Sequence, residues 1–470
     1  MLSSVLKKRD LVCKKFVIVI HFTRRIFMKS ISRRRFLTGS AVGLAAVPMF
    51  IPSAVLGKDG QLPPSNRITI GVIGVGNRGS HSIRAMTPLP DHQILAIAEA
   101  RRDRAERALD VVNNMYAART GMSDYKACQI YADFRDVLER DDIDVIWGTT
   151  PDHWHGPMFS RIIKAGKDIY GEKSLTRYIS QGVEICKLVR QYGCVFQTGT
   201  QQRSDPRFRK AAELARNGYL GKVHTIEVIS PAGRDYPVVP PCDPPEGFDW
   251  DMWTGPAPML PFDKQRVEWL AMYMISHYCA GFVTNWGVHH LDIAGWGIPE
   301  AFVKPFEIEG TGTMPTGGMT DTWIYWNSVL RWESGLKMNY CSVGKEQPRD
   351  GCRFIGDEGT VFVNRSVLEA DPASLLNVKL KDSDVRLHAS PWSGDVYTAH
   401  TADFFRSIRS RRDPVSPVEE GHYATTLGNV TDIALRLGRK LKWLPSVNRF
   451  DGDEQANQML TRTERSPWSM

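Results

Sequence analysis

The chain has 470 residues, 42% of them apolar and 24% charged. These are the proportions of a soluble globular protein, and the length exceeds one ordinary core and implies two domains. The net charge of +8 arises largely in the first 35 residues, where Lys7, Lys8, Arg9, Lys14, Lys15, Arg24, Arg25, Lys29, Arg33, Arg34 and Arg35 face only Asp10. The remainder is close to neutral and carries no basic stripe, which excludes nucleic acid as a partner. Of the eight cysteines, Cys13 lies in this leader. The others are irregularly spaced with no C-x-x-C, so neither a disulfide framework nor a zinc ribbon fits. They read as small buried residues.

Ser32-Arg33-Arg34-Arg35-Phe36-Leu37 resembles the twin-arginine export signal, S/T-R-R-x-F-L. The apolar stretch that follows, Ala41 to Leu56, is broken by Pro48 and Pro52 and is too short for a stable membrane span. Residues 1–57 are therefore expected to be a leader, cleaved near Gly57, with Met28-Lys29 a more typical start than Met1. The resemblance implies the twin-arginine export machinery as a partner and a periplasmic destination. A basic N-terminal anchor is the alternative. Because that route moves folded proteins, a nucleotide cofactor would be loaded before export.

Ile68–Ile73 is β-branched and apolar, as a buried parallel strand requires. Gly74-Val75-Gly76-Asn77-Arg78-Gly79 follows directly and reads as G-x-G-x-x-G between a strand and a helix. Gly74 permits the tight turn, Gly76 admits a pyrophosphate, and Gly79 lets the helix pack on the strand. A second strand, Ile94–Ala98, ends at Glu99, where an acid binds the adenosine ribose. Glu99 favours NAD; Arg101 and Arg102 keep NADP open. A helix over Ala105–Ala118, a strand over Asp144–Thr149, a loop over Thr149–His155 opening a helix to Ala165, and a strand over Asp168–Gly171 continue the alternation. This is a doubly wound parallel α/β sheet, with Gly74–Gly79, Glu99, Thr149–His155 and Glu172-Lys173 on one rim.

Gly171-Glu172-Lys173-Ser174 then resembles the E-K-P motif of the Gfo/Idh/MocA (glucose–fructose oxidoreductase / inositol dehydrogenase) family. Thr150–His155 resembles its T-P-x-x-x-H, Gly199–Arg203 its G-x-x-x-R, and Trp250–Pro258 its W-D-x-W-x-G-P-A-P. Asn285–Asp292 resembles D-W-G-x-H-H-x-D, and Arg465–Trp468 resembles R-x-P-W. The motifs run in order through residues 66–470. Two positions depart from the pattern: the proline is Ser174 and the aspartate is Asn285, whose amide cannot take up a proton at neutral pH.

The resemblance implies a Rossmann domain over 66–197 and an α+β domain over 198–470 with an open, mostly antiparallel sheet. It also implies a homo-oligomer and a carbohydrate or polyol substrate. Oxidising a secondary alcohol needs a proton acceptor and a cation beside the developing alkoxide. By position, Lys173 and His289 fill these roles as the catalytic pair. The expected cofactor residues are Gly74, Gly76, Asn77, Arg78, Gly79, Glu99, Thr150, Pro151, His155 and Glu172. Arg203, Asn285 and His290 are the expected substrate residues. Arg203 can equally pair with a core acid, His155 can cap its helix, Asp292 can orient a histidine, and His290 can be structural. His153, His155, His289 and His290 would suffice for a divalent ion if their loops met, but their spacing matches no metal motif and no metal is expected.

The second half reads as a helix over Lys210–Asn217, a strand from Val223, and a long irregular segment over Ser230–Pro261. Strands follow over Val303–Gly310, Trp323–Trp332, Leu336–Val343, Cys352–Ile355 and Thr360–Val363. Pro305 argues for an edge position or a late start to the first of these. Helices over Ala399–Ser410 and Gly421–Leu437 are expected to return towards the first domain. Among Trp250, Trp253, Trp269, Trp286, Trp296, Trp323, Trp326 and Trp332, one or two are expected in a sugar cleft and most in the core. Three functions remain open: net hydride transfer between a sugar or polyol and a tightly held cofactor, glycoside cleavage through transient oxidation, and sugar binding without catalysis.

Overall fold

The computed structural model describes residues 66–121 and 125–470. The leader, with its twin-arginine motif and cleavage region, lies outside them. Six strands, β1 (Ile68–Ile73), β2 (His92–Ala98), β3 (Gln129–Tyr131), β4 (Val145–Gly148), β5 (Asp168–Gly171) and β6 (Phe196–Thr198), form a sheet in the order β3-β2-β1-β4-β5-β6. Every pairing is parallel. β4, β5 and β6 are buried at every position, as strands with helices on both faces must be. The helices α1 (Asn77–Met86), α2 (Arg102–Thr120), α3 (Asp152–Lys164) and α4 (Ile179–Tyr192) connect them. The strand order reverses at β1, whose successors lie on opposite sides. The crevice at its carboxyl end is where such sheets bind ligands.

Nine strands make the second sheet: β7 (Val223–Ser230), β8 (Phe306–Thr313), β9 (Tyr325–Trp332), β10 (Lys337–Ser342), β11 (Gly351–Gly356), β12 (Gly359–Val363), β13 (Leu368–Asp371), β14 (Leu441–Leu444) and β15 (Arg449–Phe450). Their order is β13-β12-β11-β7-β10-β9-β8-β14-β15. Only β7 with β10 is parallel; the rest are antiparallel. β9 shows the cause of its sidedness: Trp326, Ser328, Leu330 and Trp332 point inward, while Tyr325, Asn327 and Arg331 point out. The inner face packs against α5 (Pro206–Arg216), α6 (Gly287–Gly297) and the long α8 (Val418–Leu437), through Phe208, Leu291, Trp296, Leu427 and Val430. The preceding helix α7 (Val396–Ser410) instead reaches the first sheet. There Trp147 and Tyr170 stack at 3.8 Å and Phe404 of α7 packs edge-on to both.

The last residues also reach the first domain. Trp468 packs against Trp154 of α3 at 5.1 Å and lies under the Arg135 guanidinium. Arg161 of α3 donates to the carbonyls of Pro467, Trp468 and Ser469.

Several elements differ from expectation. Residues 152–155 are not loop: α3 begins at Asp152, with Pro151 in extended conformation just before it, a geometry proline's fixed φ favours. β8 makes the late start that Pro305 argued for, at Phe306, and is no edge strand, while Val303 ends a short helix instead. No periodicity announced α6, because it is buried at every position from Gly287 to Gly297 and so has no polar face.

Arg203 was expected as a substrate residue, and the structure corrects this. Its side chain is 1% exposed and lies outside the ligand crevice. Nε and Nη2 donate to the two oxygens of Asp292 on α6 at 2.7 and 2.8 Å, Nη2 also pairs with Glu420 of α8, and Nη1 donates to the Val415 carbonyl. A carboxylate left in the interior without its guanidinium is strongly disfavoured. Arg203→Ala is therefore expected to cost about 3–5 kcal/mol, read as a lowered urea midpoint, and Arg203→Lys, which loses the bidentate fork, should recover only part of it.

Candidate active site

A cavity of about 520 Å³ runs from the β1 turn to the N-terminal end of α6, lined from both domains. At one end the turn after β1 is fixed by Gly74, whose φ of +84° only glycine adopts without strain. A Cβ on Gly76 would meet only the Arg104 Nη1, at 3.4 Å, so the backbone there is open to a close ligand. Gly79 does not line the cavity. A Cβ there would overlap the Gly74 carbonyl, so it lets α1 pack on the turn. No side chain caps α1 at Gly76, which leaves the N–H groups of its first turn for an anion. Glu99 lines the same end. Its oxygens accept from the Val75 and Arg101 amides at 2.7 and 3.1 Å, which fixes the carboxylate and leaves lone pairs for ribose hydroxyls. This cradle fits a dinucleotide.

Arg101 pairs with Asp103 and Arg102 with Glu106, and neither side chain lines the cavity. The two arginines that kept NADP open are thus turned elsewhere.

Along the rim, Thr150, Pro151, Glu172 and Lys173 line the cavity together with Asn77 and Arg78. Arg78 Nε donates to Glu172 Oε1 at 2.6 Å, and its guanidinium lies over Tyr397. Gly199 makes room for this: a Cβ there would stand 2.8 Å from the Glu172 carboxyl. His155 was expected at the cofactor, but it is fully buried and outside the cavity. Its ring nitrogens face the carbonyls of Ser174 and Thr150 at 2.6 and 2.9 Å. It clamps the two rim loops together. The Lys173–Ser174 peptide is cis.

Lys173 Nζ donates to Asn285 Oδ1 at 2.8 Å, and Asn285 Nδ2 donates to both oxygens of Asp152 at 3.1 Å. The amide orientation follows from its partners, since an ammonium can only donate and a carboxylate only accept. Asp152 also accepts from the Cys279 thiol at 3.3 Å and sits in the first turn of α3, where a negative charge is stabilised. Burial pushes the Lys173 pKa below the ordinary lysine value, against the opposing pull of Asp152 and Glu172. Tyr273 covers it, with Nζ 5.5 Å from the ring centre. His289 lines the cavity beside Trp286. Burial, then the charges of Arg365 and Lys173, hold its pKa well below the usual imidazole value, and its Nδ1 has no partner among the described residues. The neutral imidazole is thereby favoured, which suits it to hydrogen bonding and makes it a weak base.

His290, expected to contact substrate, points away into the second domain. It meets Gln202 and Asp350 at 3.4 and 3.3 Å and does not line the cavity. The four histidines do not converge: His153 faces the Trp253 carbonyl, and among the described residues no group of three or more His, Cys, Asp or Glu is arranged for a metal. Of the tryptophans named from sequence, Trp253, Trp269 and Trp286 line the cavity, whereas Trp296, Trp323, Trp326 and Trp332 belong to the core. The seven described cysteines are free, four of them buried. Asp152, Tyr273 and Arg365 were not anticipated. Asp152 stood within a quoted motif, and the signal that could have found it was the missing carboxylate at Asn285. Tyr273 and Arg365 lie in stretches without a pattern.

The two sheets and the cavity between them define a two-domain, NAD-binding oxidoreductase architecture. Residues 68–200 match a family model described as oxidoreductase family, NAD-binding Rossmann fold. Residues 232–470, just over half of the chain, match oxidoreductase family, C-terminal alpha/beta domain. The chain belongs to the Gfo/Idh/MocA oxidoreductase family. Myo-inositol 2-dehydrogenase of Thermotoga maritima is 25% identical over 174 residues, 37% of this chain and 47% of that protein. Glycosyl hydrolase family 109 protein 2 of a Shewanella species is 28% identical over 173 residues, 34% of this chain and 35% of that protein. These matches span less than half the length of either relative. The solved structure of scyllo-inositol dehydrogenase from Lactobacillus casei with NAD(H) and scyllo-inositol superposes with a TM-score of 0.57, covering 80% of this chain and 99% of that one at 14% identity, a likeness of fold.

Glu99→Ala is expected to weaken NAD binding about ten- to a hundredfold, the cost of hydrogen bonds to a charged acceptor, measurable by titration calorimetry. Asn285→Asp would set a second carboxylate beside Asp152 and add negative charge next to Lys173, raising the lysine pKa. The basic group seen in the pH profile of kcat/KM should therefore move to higher pH by roughly one unit, and Asp152→Asn should move it the other way.

Proposed function

We propose that this chain oxidises a secondary hydroxyl of a sugar or cyclic polyol with a tightly held NAD. The observation that carries this reading is the buried Lys173–Asn285–Asp152 chain beside an uncharged His289, in a cavity continuous with the glycine turn. When bound, NAD supplies the hydride acceptor at nicotinamide C4. The residues do the rest. Lys173, its pKa lowered by burial, lies where it meets the reacting hydroxyl, and in its neutral form takes the proton; as the ammonium it stabilises alkoxide. His289, favoured as the neutral imidazole, offers a hydrogen bond to a substrate hydroxyl beside Lys173. Asn285 holds Lys173 by its carbonyl and transmits the charge of Asp152 without placing a carboxylate at the substrate. Trp253, Trp269 and Trp286 offer apolar faces for a sugar ring.

The Ser32–Leu37 motif supports export by the twin-arginine route to the periplasm with the cofactor already loaded. A soluble cofactor pool is scarce there, so the nicotinamide is regenerated in place by a second sugar or within one catalytic cycle. A homo-oligomer through the open second sheet is proposed by analogy with the family alone. A second reading is favoured by the relatives named glycosyl hydrolase family 109: transient oxidation acidifies a neighbouring C–H and permits cleavage of a glycoside, with NAD restored at the end.

Nucleotide extracted from the purified chain should be NAD, and its absence together with no binding on titration would sink the proposal. Incubation with sugars and glycosides separates the two chemistries, because NADH or a ketosugar marks net oxidation and free aglycone without NADH marks cleavage. Lys173→Met should lower kcat by about 10²–10⁴ with NAD still bound, and unimpaired turnover would remove Lys173 from its role.

A further inference from the structure

Four cationic side chains that line the cavity differ in what balances them. Arg78 is paired with Glu172, and Lys173 is bonded to Asn285. The guanidinium groups of Arg104 and Arg365 have no hydrogen bond or ion pair among the described residues, yet both line the cavity. Arg104 stands at the glycine turn, 3.4 Å from where a Gly76 Cβ would be, at the end that receives the phosphates of the dinucleotide. Arg365 stands across the cavity beside Trp286, with Tyr397 and Arg78 within electrostatic reach. It comes from the turn between β12 and β13 of the second sheet, beside the N-terminal end of α6 that carries His289.

The surroundings of Arg365 are specific. Its guanidinium lies over the Trp286 ring at 4.8 Å, and its Nη2 is buried without a partner. Burial lowers its pKa, with Tyr397 and Asp350 opposing from a distance. Asp350, the acid that could pair with it, is engaged with His290 instead. Trp286 lies against the guanidinium, and the planar fork of its N–H groups matches a carboxylate or the oxygens of a phosphate. A neutral sugar offers only hydroxyls and would leave a partly dehydrated cation uncompensated.

We infer that Arg365 receives an anionic substituent of the substrate, so that the preferred substrate is an acidic sugar, a uronic acid or a sugar phosphate, whose reacting hydroxyl then lies toward Lys173 and His289. This rests on the oxidoreductase reading above and deepens it. The charge also selects against neutral analogues, because they forgo a charge-assisted contact in a low-dielectric site.

The test uses the full chain with NAD bound and compares glucose, glucuronate and glucose 6-phosphate, together with their methyl glycosides. Turnover is followed as NADH formed or methanol released, and affinity is followed by titration calorimetry. At least one acidic sugar should exceed its neutral counterpart tenfold or more in kcat/KM or in affinity, and the two acids tell a carboxylate from a phosphate. Arg365→Gln should collapse that ratio toward one, Arg365→Lys should restore part of it, and NAD affinity should stay within twofold in both. Equal treatment of acidic and neutral sugars by the wild-type chain overturns the inference while leaving oxidation intact. A tenfold loss of NAD affinity in Arg365→Gln also overturns it, because the guanidinium would then serve the cofactor. Failure to turn over any sugar is the failure of the oxidoreductase reading instead; the binding comparison still decides the role of Arg365.

Discussion

The active-site cavity depends on the buried contact of Arg203 with Asp292 and Glu420. Arg203 follows the last strand of the first sheet, Asp292 sits on the helix that carries His289, and Glu420 begins the long helix behind it. A fork of fixed geometry thus joins the segment after β6, at the carboxyl edge of the first sheet, to two helices packed on the second. The apolar packing around it would tolerate small slips; a bidentate pair does not. This contact, together with the direct Lys173–Asn285–Asp152 bridge, sets the Lys173 rim against the helix that carries His289.

Within that frame, the charges at the reacting end follow from a single exchange of residue types. A carboxylate at position 285 would lie about 3 Å from Asp152, where two like charges cannot both ionise readily. Asparagine removes the conflict and keeps both hydrogen bonds. The negative charge is moved one step back from Lys173, onto the first turn of α3. The lysine is therefore tethered without being locked into a salt bridge, and its proton is easier to lose. Cys279 and Tyr273 complete a dry surround in which that small adjustment counts.

Much of the fold was legible because its physical causes are local. β1, the glycine turn and Glu99 are written within about thirty residues, and parallel strands buried on both faces betray themselves as β-branched runs. The second sheet was legible in outline from its period of two, although β13, β14 and β15 were too short to stand out. The helix Gly287–Gly297 was hidden because burial on all sides erases its periodicity. At the site, Gly74, Gly76, Asn77, Arg78, Glu99, Thr150, Pro151, Glu172, Lys173, Asn285 and His289 line the cavity. Arg203, His155 and His290 belonged to the motifs for another reason: they hold the walls. A motif records which residue types recur together, and a buried clamp recurs as faithfully as a ligand contact. Arg365 and Tyr273 could not be read, since what matters is where the second domain folds back, a long-range property that no short window contains.

The clasp of Trp468 and Arg161 over the outer face of α3 bears on the order of events during synthesis. The helix that bears Asp152 emerges from the ribosome about three hundred residues before the ring that packs against it. Until then Trp154, already met by Phe134 and by the carbonyls of Met252 and Trp253, lacks the packing of the Trp468 ring. A product interrupted before Trp468 would therefore leave part of the α3 face uncovered.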